Sequence, residues 1–508
     1  MEQRLHLFAP LRTHKRVQFI DHHTLSRPGK RRDHRSLVHE KGFQGLWRND
    51  QNAGHLFQEF LLSRCRYIPM PAQHRQIQQF AKWREPLCLI VDKATPLTNA
   101  GEDILAAARR CANELDGGVL PIQGPPGSGK TYIGARVIVD LVRSGKKVGV
   151  TAVSHTVVRN LLDEVVRAAA AEGVLVTALQ KVAEMSNPCP AGIVEVTRND
   201  RPIAALRNRE ANVVGGTAWL WSRSDYANAV DVLVVDEAGQ MSLANVLAVG
   251  QAARSIVLLG DPQQLDQPTQ GAHPVGTDAS ALAHLLGNRE TIPEDRGLFL
   301  SETWRLHPAI CGFISEVFYE GRLTPHEGLD RQRVDGHTSL GPAGLWLVLI
   351  DHSGNTTSAE EEVEQIAQIV DLLLQPTVRW TDLNGSTRPM TRDDILVVAP
   401  YNAQVAALSA RLSVRVGTVD RFQGQESAVV IYSLTSSSPE DAPRGMEFLY
   451  SRNRLNVALS RARAIAVIVG SAKLFEPDCN TPRQMHLANA LCKFREVATN
   501  VQPEAIHR

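Results

Sequence analysis

Residues 124–132 read GPPGSGKTY, preceded by the short apolar run GVLPIQ and followed by TYIGARVIVDLVRSG, whose last glycine is a natural helix stop. Strand, glycine-rich turn and helix in this order make a phosphate cradle. The glycines let successive backbone N–H groups turn inward, and the helix N-terminus adds a favourable dipole. The cradle comprises Gly124, Pro125, Pro126, Gly127, Ser128, Gly129, Lys130, Thr131 and Tyr132. Lys130 is placed to reach the β- and γ-phosphates and the Thr131 hydroxyl to ligate Mg²⁺, so ATP and Mg²⁺ are the expected cofactors. Alone, such a run can be an accidental glycine-rich turn; the flanking strand and helix argue against that.

Outward from the cradle the alternation continues. KVGVTAV, DVLVVDE and SIVLLGD are apolar runs suited to a parallel sheet buried on both faces. A second series begins near 296 with LFLSETWR, then GLWLVLI, DILVVAP, RVGTVD, AVVIYSL and AIAVIVG, with helical text such as EEEVEQIAQIVDLLL between them. The expected fold class is α/β: two domains with parallel sheets side by side. The expected boundaries are 1–95 for an N-terminal extension of unassigned fold, 96–295 for the first domain and 296–508 for the second. The polar, glycine-containing stretch 325–343 reads as surface loop.

The whole chain bounds these readings. Its 508 residues exceed the size at which one hydrophobic core stops growing, about 250–300 residues. At 43% apolar and 21% charged it has ordinary globular composition, and no apolar run approaches the roughly 18–20 residues that span a bilayer, so no membrane partner is expected. The first twenty residues lack a signal-peptide core. Cys65, Cys88, Cys111, Cys189, Cys311, Cys479 and Cys492 include no CxxC pair, which argues against zinc and against a disulfide framework; a reducing cytoplasm is expected. The net charge of +1 announces no polyanion partner, so any nucleic-acid site must be local. HKRVQFIDHH and RPGKRRDHR near the N-terminus read either as an atypical extension or as a basic arm.

Two further strand ends carry chemistry. DVLVVDEAGQ puts Asp236 and Glu237 at the C-terminal end of a strand, where open α/β sheets bind ligands. There Asp236 would hold Mg²⁺ and Glu237 would orient and deprotonate an attacking water. LLGDPQQLDQP repeats the arrangement with Asp261 and Gln264, whose amide can bond a γ-phosphate or the water.

The ordered set GPPGSGKT, DEAGQ, GDPQQL, ETWRLHP, APYNAQ, VGTVDRFQGQE and RLNVALSRAR resembles the superfamily 1 helicases of the nonsense-mediated-decay branch over about residues 100–475. The neighbouring text is closer still to the helicase half of bacterial proteins fused to a RecB-like nuclease. The resemblance implies that the two α/β domains are RecA-like P-loop NTPase domains and that the chain is an ATP-dependent helicase or translocase on single-stranded DNA or RNA, moving 5′ to 3′, with a separate RecB-like nuclease as a candidate partner. It makes Arg305 and Arg461 arginine fingers, each a guanidinium that neutralises transition-state charge, an effect of roughly 10³–10⁵ in rate. Gln240 resembles a residue that positions water and Glu426 one that contacts the nucleotide sugar. Tyr401 resembles a residue that stacks on adenine or supports the cleft wall. For the strand it implies Ser154, His155, Thr217, Asn402, Gln404, Thr418 and Arg421. A lone Ser or Thr is otherwise a helix cap. Trp219 and Trp221 read as packing or as a stacking platform. The sequence departs from the family in having no Gln between Phe80 and Ile122 to read adenine, and 165–230 is short for the insertions that grip RNA in some relatives. An ATPase that switches its grip on nucleic acid without unwinding it is the alternative.

Overall fold

A computed structural model describes residues 96–186, 191–265, 279–336, 340–422 and 424–504. The expected extension 1–95, its basic stretches, and Cys65, Cys88 and Cys189 lie outside the described residues.

The first sheet is built from β1 (Val119–Gln123), β2 (Val148–Thr151), β3 (Ala178–Lys181), β4 (Ile193–Val196), β5 (Val213–Gly215), β6 (Val230–Val235), β7 (Ala253–Gly260) and β8 (Leu298–Phe299). Its order is β4-β3-β5-β2-β6-β7-β1-β8, with every pair parallel. The apolar runs are nearly continuous because both faces are covered. On β6, Val232 and Val234 join one buried cluster with the helices Ile104–Glu114, Lys130–Arg143 and His155–Glu172, while Leu233 and Val235 join another on the opposite face. Pro121 sits inside β1 without breaking it. Alternate residues of β1 bond to alternate neighbours, Gly124 N to Gly260 O on the β7 side and Leu300 N to Gln123 O on the β8 side. The missing Pro121 donor therefore faces β8, whose pairing starts only at Ile122.

The remaining strands are β9 (Glu302–Thr303), β10 (Thr324–Pro325), β11 (Arg333–Asp335), β12 (Gly344–Leu349), β13 (Arg379–Thr381), β14 (Thr387–Pro389), β15 (Ile395–Val398), β16 (Arg415–Gly417), β17 (Ser427–Ser433), β18 (Ala462–Gly470) and β19 (Thr499–Val501). The second large sheet runs β16-β15-β17-β18-β12-β19, again all parallel. Its faces alternate in the same way: Val430 and Tyr432 of β17 face one cluster, Val429 and Ile431 the other. Both sheets therefore have the α/β architecture expected from the sequence.

Two expectations shift. The division at 295/296 falls before β8, which pairs with β1, so the first sheet draws on residues beyond it. The stretch 325–343 is not simply surface loop. It contributes the short turn Leu329–Arg331 and β11, which pairs antiparallel with β13, and Leu329, Val334 and Leu340 are buried. Their apolar side chains are isolated among polar ones, so no periodicity announced them.

Candidate active site

The cradle follows β1. Gly127 and Gly129 adopt left-handed backbone, φ 75° and 78°, and Gly129 caps the helix Lys130–Arg143 without a side chain to occupy its first amides. Space at Gly127 is decisive, because a Cβ there would lie 2.6 Å from Arg305 Cβ and 2.7 Å from Thr303 Oγ1. The chain after β8 thus lies directly on the cradle: Thr303 Oγ1 donates to Pro126 O at 2.9 Å and Trp304 N to Gly127 O at 2.9 Å. Pro125, Pro126 and Ser128 are buried, and the Ser128 hydroxyl donates to Pro125 O. Lys130 Nζ donates to Gly124 O at 2.6 Å, while Thr131 and Tyr132 are exposed and the Arg136 guanidinium covers the Tyr132 ring.

Asp236 and Glu237 follow β6, two strands from β1. Asp236 is buried, and its Oδ1 accepts the Glu237 N–H at 2.9 Å. Burial first, then the Glu237 charge, push its carboxyl up to about 7, against the Glu237 N–H and Lys130, which favour the charged form. Glu237 itself holds a left-handed conformation, φ 52°, a strained arrangement for a non-glycine residue. Gln240 Nε2 donates to its Oε2 at 3.1 Å. The turn is pressed onto the end of β7, since a Cβ on Gly239 would lie 2.3 Å from Asp261 O. Among the described residues no three His, Cys, Asp or Glu gather as a metal cage. The buried Asp236 carboxylate and exposed Thr131 hydroxyl are instead hard oxygen donors that suit Mg²⁺ shared with phosphate oxygens.

The other wall comes from the second sheet. Arg461, which precedes β18, is 3% exposed, yet its Nε and Nη2 have no hydrogen-bond partner among the described residues; Nη1 reaches only Gln425 O at 3.4 Å. Burial, then the like charge of Arg305, push its pKa down, while Glu237 and Glu426 favour its charge. It remains a cation, because a guanidinium starts far above neutrality. Arg305 is tied by Nε to Glu426 Oε2 at 2.5 Å and by Nη1 to Ser460 O at 3.3 Å. Arg463 pairs with the other Glu426 oxygen. Burial raises the Glu426 carboxyl, but Arg305 and Arg463 outweigh it and hold it below its ordinary value. Glu426, expected at the nucleotide sugar, is thus engaged by two guanidiniums.

Asp261, after β7, is 1% exposed and accepts from Gln264 Nε2 at 2.9 Å and from the Tyr319 hydroxyl at 2.7 Å. Asn456 Nδ2 donates to Tyr319 Oη at 2.9 Å and to Gln263 O at 2.8 Å, and Asn453 Nδ2 donates to Gln264 O at 2.6 Å. Tyr319, Asn453 and Asn456 were not anticipated. The two asparagines lie three apart inside RNRLNVAL, a spacing that puts both on one helix face; Tyr319 carried no such signal. Nor was Trp304 singled out. It is 52% exposed beside the cradle, with one face stacked on His326 at 3.4 Å.

Lys130, Asp236, Glu237, Gln240, Arg305, Arg461 and Glu426 are thus linked by contacts and charge around one cleft, with Gln264 on the adjoining loop. Tyr401 is not among them: it is 7% exposed with its ring on Phe448, which places it in packing and leaves no open face for adenine. Gln404 is also corrected. It is fully buried, its amide bonding both backbone groups of Ala359 and Ser433 Oγ, so it cannot touch a strand. Ser154 caps the helix His155–Glu172 by accepting from Val157 N, and Thr217 starts the short helix Ala218–Trp221 without a side-chain cap bond. Asn402 is exposed at the first residue of the helix Asn402–Arg411, and Thr418 and Arg421 follow β16, with Arg421 exposed.

Two family profiles, each described as an AAA domain, match residues 105–284 and 278–473. Helicase sen1 of Schizosaccharomyces pombe is 30% identical over 48% of this chain and 15% of its own length. DNA-binding protein SMUBP-2 of Rattus norvegicus is 29% identical over 70% of this chain and 41% of its own. The regulator of nonsense transcripts 1 homolog of Neurospora crassa is 26% identical over 76% and 39%. The chain spans less than half the length of each of these relatives.

Proposed function

We propose that the chain is a superfamily 1 helicase of the Sen1 and nonsense-transcript-regulator type, a reading its relatives support, and that it hydrolyses ATP to drive itself along single-stranded DNA or RNA; 5′ to 3′ movement is part of the same proposal. One observation carries the reading. A buried guanidinium, Arg461, offers two unpartnered donors from the second sheet to a cleft whose other wall holds the cradle, Asp236 and Glu237. A desolvated cation without a partner is costly to keep unless an anion fills the place.

The chain's own groups have distinct tasks. Cradle amides and Lys130 hold the phosphates, and Glu237, oriented by Gln240, takes a proton from the water that attacks the terminal phosphorus. Thr131 and Asp236 would hold Mg²⁺, which supplies charge neutralisation between the terminal phosphates. Arg461 and, once released from Glu426, Arg305 neutralise the charge on the transferring group. Gln264 reports the phosphate state through Asp261 and Tyr319 to the helix Arg452–Leu459. Alternate opening and closing of the cleft would then alternate the grips of Ser154, His155 and Thr217 on one sheet and Asn402, Thr418 and Arg421 on the other. A cytoplasmic location and a RecB-like nuclease partner belong to the same proposal.

The test is the ATPase rate of purified protein with and without single-stranded DNA or RNA at stated low salt. Stimulation by one polymer is expected; none by either sinks the motor. Stimulation without displacement of a fluorescent duplex strand would favour a grip-switching ATPase that does not unwind.

A further inference from the structure

Three adjacent strands of the first sheet end side by side: β3 at Lys181, β5 leading to Thr217 and Trp219, and β2 leading to Ser154 and His155. Gly215 is in register with both Gln180 and Val150. Gly216 N donates to Val150 O at 3.0 Å, and Gln180 Nε2 donates to His155 O at 2.9 Å, so these strand ends form one continuous edge.

On that edge the two tryptophans of Ala218–Trp221 part company. Trp221 is fully buried; its Nε1 donates to Val150 O and Gly216 O, both at 3.1 Å, and its ring meets Tyr226 edge-on at 5.6 Å. Two positions along a helix turn a side chain about 200°. Anchoring Trp221 inward therefore holds Trp219 outward, where it is 84% exposed. No ring or cation among the described residues covers it. Thr217, His155 and Lys181 lie on the same strand-end edge, and Lys181 makes no ion pair among the described residues. Val153, 41% exposed, adds little apolar area, so this is not the broad apolar patch that a protein partner would need. An outward aromatic face on an edge that also carries a cation is what a single strand uses, stacking a base on the ring and setting phosphate against charge.

We propose that Trp219 is a base-stacking platform for single-stranded nucleic acid, with Lys181 meeting the adjacent phosphate. This rests on the nucleic-acid reading above and deepens it by assigning where a base is held.

Anisotropy of a labelled 20-nucleotide single strand, DNA and RNA in parallel, tests it on the full chain. Trp219→Ala is expected to weaken binding about 5- to 100-fold, Trp219→Phe much less, with ATP turnover in the absence of strand unchanged. The loss should vanish on a strand of abasic sugar phosphates. Lys181→Ala should instead lower the slope of log affinity against log salt by about one. Equal binding by wild type and Trp219→Ala overturns the platform alone, as does an equal loss on the abasic strand. A wild type that binds neither polymer overturns this and the broader reading together.

Discussion

The Tyr319 hydroxyl donates to Asp261 Oδ2 at 2.7 Å, and Asn456, on the helix that precedes Arg461, donates to the same hydroxyl at 2.9 Å. Burial first, then the Asp261 charge, raise the Tyr319 phenol well above its ordinary value, so it stays a donor throughout the working range. The strand end that carries Gln264 and the helix that leads to Arg461 are therefore joined through one oxygen atom.

Removing that oxygen should uncouple them. Tyr319→Phe leaves the ring packed but strips Asp261 of one donor and Asn456 of one of its two acceptors, a cost of about 1–3 kcal/mol for the unpaired buried groups. We expect a lowered Tm, a several-fold fall in strand-stimulated kcat and a smaller change in KM for ATP. Steady-state kinetics alongside calorimetry check this; an unchanged kcat with lowered Tm would make Tyr319 merely structural.

Lys130→Ala and Glu237→Gln should both abolish strand-stimulated hydrolysis by different routes. The first removes the phosphate cation and should weaken nucleotide binding. The second removes the base and should leave binding intact. A fluorescent nucleotide titration separates them, and normal turnover in either contradicts the assignment.

Arg461 should trade stability for turnover. Its unpaired, desolvated guanidinium burdens the free protein, so Arg461→Met is expected to raise Tm or leave it unchanged while lowering kcat by roughly 10³ or more. A large drop in Tm would mean the cation holds the fold together.

The Arg305, Glu426 and Arg463 group sets a pH window. Glu426 is held below its ordinary 4.5 once folded, so its stabilising pairing is fully present above that value and is lost as pH falls through the lower folded value. Denaturant titrations should show Glu426→Gln less stable than wild type above pH 5, by an amount that shrinks steadily below pH 4. A constant difference across that range would exclude the pairing as its source.

The sequence made most of the α/β frame legible because its strands are buried on both faces and read as unbroken Val, Ile and Leu runs, as in DVLVVDE and AIAVIVG. The short strands β3 and β5 escaped notice; at three or four residues they carry too little pattern. The cradle and the acids after β6 were legible because their chemistry needs fixed spacing. Asn402 and Gln404 show where legibility ends. Both are polar residues at one helix start, yet Gln404 is fully buried because the chain around Ala359, far away in sequence, presents it with backbone partners. Trp219 and Trp221 part for a similar reason, since only the packed sheet supplies the two carbonyls that hold Trp221.

The asparagine clasp on residues 262–264 ties the helix before Arg461 to the first sheet. Asn453 and Asn456 anchor the helix Arg452–Leu459 to the end of β7, and at 1.5 Å per residue Arg461 lies only about 7 Å beyond Asn456. A rotation about this contact would have a short arm at the arginine and a long one elsewhere. Thr418 and Arg421 follow β16, three strands past β18, about 14 Å further out at some 4.8 Å per strand. In the proposed cycle, a small turn about this contact would therefore move the outer rim of the second sheet further than it moves Arg461.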